Sequence, residues 1–315
     1  MNLHLAAALC ALALAAAGQW IDLASVSGLL FVVVAISVGM SHGALDAVIL
    51  MRADTAPGVT RGARGLRSYA LICVICAAAL SWWPQAAVPL LLLVSALHFG
   101  AQTDTGVSRG LGAVALRLAC GGAAIAAPML LRTDELAALL GSMPLLFSQG
   151  GLLVWQVLAA AWLLALTYAA GWAARRLWRQ PRDRCAWQIL REIALVLFVN
   201  ALLPPLLAFA VYFGLVHSLG YWHAVQAWRR ADPGGRPHAA ARRASCAAAA
   251  SFALALAGCA ALAWHFRAAS LGDWVSVLLI GIAAVTVAHA ALVERHAHAL
   301  FGAPGGGGAP THAPG

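Results

Sequence analysis

Ten apolar runs follow one another along the chain, at about residues 3–20, 24–50, 69–83, 85–101, 111–131, 151–172, 189–203, 205–225, 244–266 and 273–293, with short polar connections between them. A helix that crosses the hydrocarbon core of a bilayer needs about 20 apolar residues. The pattern therefore predicts an all-α, polytopic integral membrane helix bundle of about eight to ten transmembrane helices. The runs 189–203 and 205–225 flank Pro204-Pro205 and read either as two spans or as one long broken helix. Residues 134–147 are apolar but short, which suits a re-entrant or interfacial piece. Residues 1–18 are rich in Ala and Leu and end in Ala-Ala-Ala-Gly, so they read as a first span or as a signal peptide. No Arg or Lys precedes that apolar run, and a retained span is the expectation. Residues 1–301 should form one transmembrane domain, and the Gly/Pro/Ala-rich stretch 302–315 a disordered tail.

Composition agrees with the pattern. Hydrophobic residues make up 63% of the 315 and charged residues 10%, with mean hydropathy +0.84. Soluble domains hold about 45–50% and about 25%, so a soluble enzyme is excluded. All 20 basic residues are Arg. Without a lysine there can be no retinal or pyridoxal Schiff base and no P-loop phosphate clamp. The seven cysteines lie mostly in apolar runs and read as small buried hydrophobes. Cys73-x-x-Cys76 has no second pair to complete a metal site.

The net charge of +9 is a topology signal before it is anything else. Fifteen of the arginines lie in three connections, around residues 52–67, 175–191 and 229–243. These fall on one side if ten spans alternate, so the positive-inside rule puts that side and both termini in the cytoplasm. Anionic lipid heads can add to the attraction. Nucleic acid is not an expected partner.

Ionisable residues inside spans are functional candidates, because burying them in hydrocarbon is costly. The runs hold His42 and Asp46, then His98 with Gln102 and Asp104 just beyond, then His217 and His223, and last His289. His42, His98, His217 and His289 lie about four to nine residues from the cytoplasmic ends of their spans. Their depths therefore differ by under about 10 Å. A single buried histidine is usually a packed core residue. Four at one level point to a shared metal site, and imidazole suits Fe, Cu, Zn and Ni. Asp46 stands four residues after His42 and Gln102 four after His98, positions that suit hydrogen-bond partners behind those rings. His4, His238, His265, His296, His298 and His312 lie at termini, loops or span ends and are expected to be solvated. A proton or metal transporter would also concentrate His and Asp in spans, but would need a polar trail through the other leaflet. A haem subunit would want histidines at two depths.

Three segments resemble motifs of one family. Gly39-Met40-Ser41-His42-Gly43-Ala44-Leu45-Asp46 resembles the S-H-G-x-x-D motif of the Brp/Blh family of bacterial membrane β-carotene 15,15′-dioxygenases. Leu97-His98-Phe99-Gly100-Ala101-Gln102-Thr103-Asp104 resembles its H-F-G-x-x-D segment, and Tyr212-Phe213-Gly214-Leu215-Val216-His217-Ser218 its Y-F-x-x-W-H-S segment. His289 falls where the family has Pro-His, here Ala288-His289. The resemblance implies a membrane enzyme of the bacterial inner membrane. It implies a non-haem Fe(2+) on histidines and O₂-dependent cleavage of β-carotene at its central double bond to two all-trans-retinal. It also implies His42, His98 and His217 as iron ligands. The family's fourth histidine comes in H-S-x-x-H, where this chain has Tyr221. His223 is two residues later, about 120° from His217 round the helical wheel, and would need an irregularity that Gly220 permits. A Tyr221 phenolate, His289 or a three-histidine site are the alternatives, as is an altered activity. Val216 in place of Trp is a lesser departure. A polyene is expected to come in sideways from the lipid bilayer along a tunnel lined by Met40, Phe99, Phe209, Tyr212 and Phe213.

Overall fold

Inside a bilayer no water is available to unpaired backbone groups, so a spanning chain must satisfy them within helices or a closed barrel. The computed structural model, which describes residues 2–52, 60–103, 110–141, 151–230 and 238–301, takes the first solution, with no strand among those residues. Asp104 and the expected tail at 302–315 lie outside the described residues. In chain order come α1 (Leu3–Ala17), α2 (Leu23–Val34), a π-helical turn (Ala35–Gly39), α3 (Met40–Ala44), α4 (Asp46–Arg52), α5 (Thr60–Trp82), α6 (Pro84–Ala101) and α7 (Leu111–Leu131). Next are α8 (Thr133–Gly141), α9 (Gly151–Arg179), α10 (Arg184–Leu202), α11 (Pro205–Val211), a second π-helical turn (Tyr212–Ser218), α12 (Leu219–Arg230), α13 (His238–His265) and α14 (Leu271–Phe301). Nine helices among the described residues are long and apolar enough to cross a membrane, and α1 is a shorter apolar helix packed on α10. The multi-pass membrane bundle expected from the hydropathy pattern is what the chain forms.

The choice at Pro204-Pro205 resolves into two spans. Leu203 leaves the helix with extended backbone, and Pro205 starts α11, where its missing N–H is one of the unpaired amides of a first turn. Arg132 closes the end of α10. Its guanidinium donates to the carbonyls of Asn200 (3.2 Å) and Ala201 (2.7 Å) and to the Glu135 carboxylate (2.7 Å). That anchor sets the start of α8, the short helix within the apolar piece expected at 134–147; residues 142–150 are outside the described residues. Between α9 and α10, Asp183 caps the Ala186 amide at 2.9 Å and accepts two bonds from Arg176. The amide first, and then the guanidinium, hold its carboxyl below the usual carboxylate range.

His4 departs from its expected solvated role. Its ring pairs with Glu192, a buried carboxylate in the middle of α10. A buried charge needs a partner, and the first turn of α1 supplies it.

The closest helix pair is α6 with α7. A Cβ placed on Gly100 would sit 2.0 Å from the Arg117 carbonyl oxygen, and one on Gly121 would sit 2.0 Å from the Ala96 oxygen. Small residues let two backbones meet in this way. Gly100→Ala is expected to lower stability by about 1–3 kcal/mol or more, the usual range for overpacking, because only backbone can move aside. Thermal unfolding in detergent checks this. An unshifted midpoint would show that the α6–α7 contact is looser than the geometry requires.

Candidate metal centre

Four imidazoles meet in the middle of the bundle, and the local backbone explains how. His42 comes just after the first π turn and His217 lies inside the second. A π turn inserts a residue into the helical repeat and rotates the later side chains, a feature frequent at functional sites. The two turns pack against each other through glycine. A Cβ on Gly39 would meet Phe213 Cε1 at 2.7 Å, and one on Gly214 would meet Val34 Cγ1 at 2.9 Å. His98 stands near the end of α6, two residues before the Gly100 contact with α7. His289 is on α14.

The ring centroids of His42 lie 5.0 Å from those of His217 and 4.5 Å from those of His289; His98 lies 5.0 Å and 4.6 Å from the same two. Coordinating atoms of His42, His217 and His289 all fall within 4.8 Å of one another. All four side chains are buried. The common depth expected of them therefore becomes a single cluster.

Asp46 is the buried carboxylate beside it. It accepts from His289 Nδ1 (2.8 and 2.9 Å), from the Tyr221 hydroxyl (2.6 Å) and from the Tyr69 hydroxyl (2.5 Å). The expectation that Asp46 serves His42 is corrected: the helix breaks at Leu45 between α3 and α4, and the aspartate meets the ring of α14 instead. With Nδ1–H of His289 committed to Asp46, its Nε2 presents a lone pair, 3.1 Å from His42 Nε2. Two imidazole nitrogens bound to one ion at about 2.1 Å would stand about 3.0–3.4 Å apart, for angles of about 90–109° between them.

The other rings bear on the same question. Among the described residues, both ring nitrogens of His98 and Nδ1 of His217 are buried without a hydrogen-bond partner. Each such group left unsatisfied costs about 1–3 kcal/mol. A cation among the rings would take one nitrogen from each, leaving the second His98 nitrogen without a partner, and would balance Asp46. The residues present thus fit an imidazole-bound first-row metal with a carboxylate behind one ligand.

The remaining expectations divide. Gln102 does not partner His98. From the end of α6 it reaches the His217 carbonyl, at 3.5 Å, on the π turn. His223 is exposed on α12 and stands apart from the cluster, because the π turn ends before it and α12 continues as a regular helix that carries it outward. Tyr221 is fully buried between His42 and His289, ring to ring at 4.8 and 4.9 Å, with its hydroxyl on Asp46. Two further polar residues, Tyr69 and Glu192, take their partners only in the fold. Glu192 is legible as an acid inside an apolar run; nothing in the sequence marks Tyr69.

An apolar cavity of about 580 Å³ opens over the cluster, lined by all four histidines and by Met40, Phe99, Phe213 and Tyr69. A smaller chamber of about 140 Å³ holds Phe209 and shares Phe99, Ile282 and Thr286 with the first. Tyr212 lines neither of these two chambers and packs in the core beside Phe99.

A protein-family model described as beta-carotene 15,15′-dioxygenase matches residues 8–295. No curated protein and no solved structure matches the chain.

Proposed function

We propose, from the premise that the chain belongs to the beta-carotene 15,15′-dioxygenase family, that it cleaves β-carotene at its central double bond with O₂ and releases two molecules of all-trans-retinal. One oxygen atom goes to each product, so no reductant and no organic cofactor are needed. The observation that carries the reading is the convergence of four buried imidazoles, one of them backed by Asp46, on the floor of an apolar cavity.

In this reading His42, His98, His217 and His289 hold Fe(2+). His289 thereby takes the place left by Tyr221 at the family's fourth histidine. The iron, when bound, supplies the redox-active centre at which O₂ is activated. The chain supplies the rest. Asp46 fixes the tautomer of His289, and the Tyr69 and Tyr221 hydroxyls fix Asp46. Phe99 and Phe213, 4.6 and 5.7 Å from the His217 ring, keep water away and offer flat apolar faces to a polyene. Met40 lines the same wall, and Phe209 the smaller chamber.

The orientation and compartment belong to the same proposal. The three arginine-rich stretches lie where α4 is followed by α5, α9 by α10 and α12 by α13, and most of their arginines are in the ends of those helices. With nine alternating spans, and α1 as a tenth, they share one face. That supports a multi-pass protein of a bacterial inner membrane with both termini in the cytoplasm.

Expression in bacteria that make β-carotene but no retinal tests the reading. The cells are expected to lose their orange colour and to yield retinal by chromatography. Orange cells holding folded, iron-loaded protein would mean that the substrate is a different molecule.

A further inference from the structure

We propose that the cavity is loaded sideways from the bilayer, through a mouth between α5 and α13, by an uncharged, elongated apolar chain. The proposal rests on the dioxygenase reading for the chemistry at the floor of the cavity, and on the geometry of α5, α13 and α14 for the route.

The cavity walls come largely from these three helices. Helices α5 and α13 each pack on α14 and α4, and the space is framed by the pair. Its lining includes residues that are also open to the outside of the bundle. Val74 on α5 is 65% exposed and Leu254 on α13 is 66% exposed, and Ala250 and Gly258 on α13 are exposed as well. The same side chains therefore border both the interior and the surroundings of the protein, which makes them the rim of an opening.

The rim sits deep in the membrane. Val74 is about halfway along the span Gly65–Trp82, and Leu254 and Gly258 are near the middle of Ser245–His265. At 1.5 Å per residue, about 7–13 residues of apolar helix, or about 10–20 Å, separate these positions from the ends of their spans. An opening at that depth faces hydrocarbon, which a charged or strongly hydrated molecule does not cross. None of the lining side chains is Asp, Glu, Lys or Arg.

Shape adds to chemistry. Lining residues on α13 extend from Ala247 to Leu262, about 22 Å of helix. The space is a slot along the helices, with His289 toward one end of the lined stretch of α14. A thin linear chain can slide along it until it lies over the imidazoles. Much of the rim is Ala and Gly, so no large side chain has to swing aside.

Gly258 offers the test. A Cβ there meets no atom within 4 Å, and the residue is exposed at the cavity edge, so a side chain added at this point starts in open space. Gly171 on α9 is likewise exposed with open space around it, and it lines neither chamber. Wild type, Gly258→Trp, Val74→Trp and Gly171→Trp are compared in lipid nanodiscs loaded with β-carotene. Iron content, melting midpoint, initial rate of retinal formation and carotenoid retained through purification are measured for each. Gly258→Trp and Val74→Trp are expected to keep wild-type iron and melting, to lose at least 10-fold in rate and to retain correspondingly less carotenoid. Gly258→Ala should fall between them and wild type, and Gly171→Trp should match wild type. Wild-type rate and retention in both rim variants would overturn the portal. If wild type makes no retinal, the dioxygenase reading fails, and the retention measurement still decides the portal: it stands if the rim variants hold less carotenoid than wild type and falls if they hold as much.

Discussion

Iron bound to the purified protein is expected to fall from about one per chain to background when any of His42, His98, His217 or His289 is replaced by alanine, with retinal formation falling more than 100-fold. Loss of a group that only orients a ligand typically costs about 10–100-fold in metal affinity or activity. Removing a ligand itself should cost more, because neighbouring ring centroids of the four lie 4.5–5.0 Å apart and no fifth imidazole among the described residues is in ring contact with them. The variants should still fold. Alanine in place of His98 removes two buried ring nitrogens that have no hydrogen-bond partner, which relieves a cost in the metal-free protein. Elemental analysis of detergent-purified protein, with melting as the control for folding, checks this. A variant that keeps full iron has lost a residue outside the ligand set. Tyr221→Phe separates the alternatives for the fourth position. It should bind iron with an affinity between those of Asp46→Asn and wild type if the hydroxyl serves Asp46, and fall to background if the phenolate is a ligand.

The second large effect is expected at Asp46. Its carboxylate accepts from one imidazole and two phenols at 2.5–2.9 Å. An asparagine has a single acceptor oxygen and turns an NH₂ toward groups that already donate. Asp46→Asn should therefore weaken iron binding and turnover by about 10–100-fold. It should also lower stability by about 1–3 kcal/mol, because a buried donor is left without an acceptor. Tyr69→Phe removes one of the three donors and should lie between Asp46→Asn and wild type. Iron titration of the metal-free proteins and melting in detergent measure both quantities. Unchanged iron affinity in Asp46→Asn would show that His289 is oriented by packing alone.

These two sets of residues differ in how much of their role can be read from the chain. The histidines stand out because each is an isolated ionisable group in an apolar run, and because the alternation of spans places all four at one depth. Asp46 stands out for the same reason, but its partner does not. The spacing of four from His42 points to that ring, and the break at Leu45 gives the carboxylate to His289 instead. Gln102 and His223 fail for related reasons. Gln102 is placed by counting along an ideal helix but is drawn to a carbonyl on a π turn; His223 needs an irregularity after His217, and α12 is regular there. Tyr69 belongs to a different span and carries no periodic signal at all.

What the sequence determines alone is therefore the membrane setting, the number of spans within about one, the basic face and the residues available for chemistry. Each is a sum over a local window, in which hydrophobicity and charge add without regard to distant parts of the chain. Only the tertiary structure decides which side chains face one another: His289 with Asp46, His4 with Glu192, Gly39 with Phe213, and α5 beside α13 at the rim of the cavity. The physical reason is angular. One residue inserted in a π turn rotates every later side chain by about 100°, and a partner on another helix is chosen by that rotation and by how closely glycine lets two backbones approach.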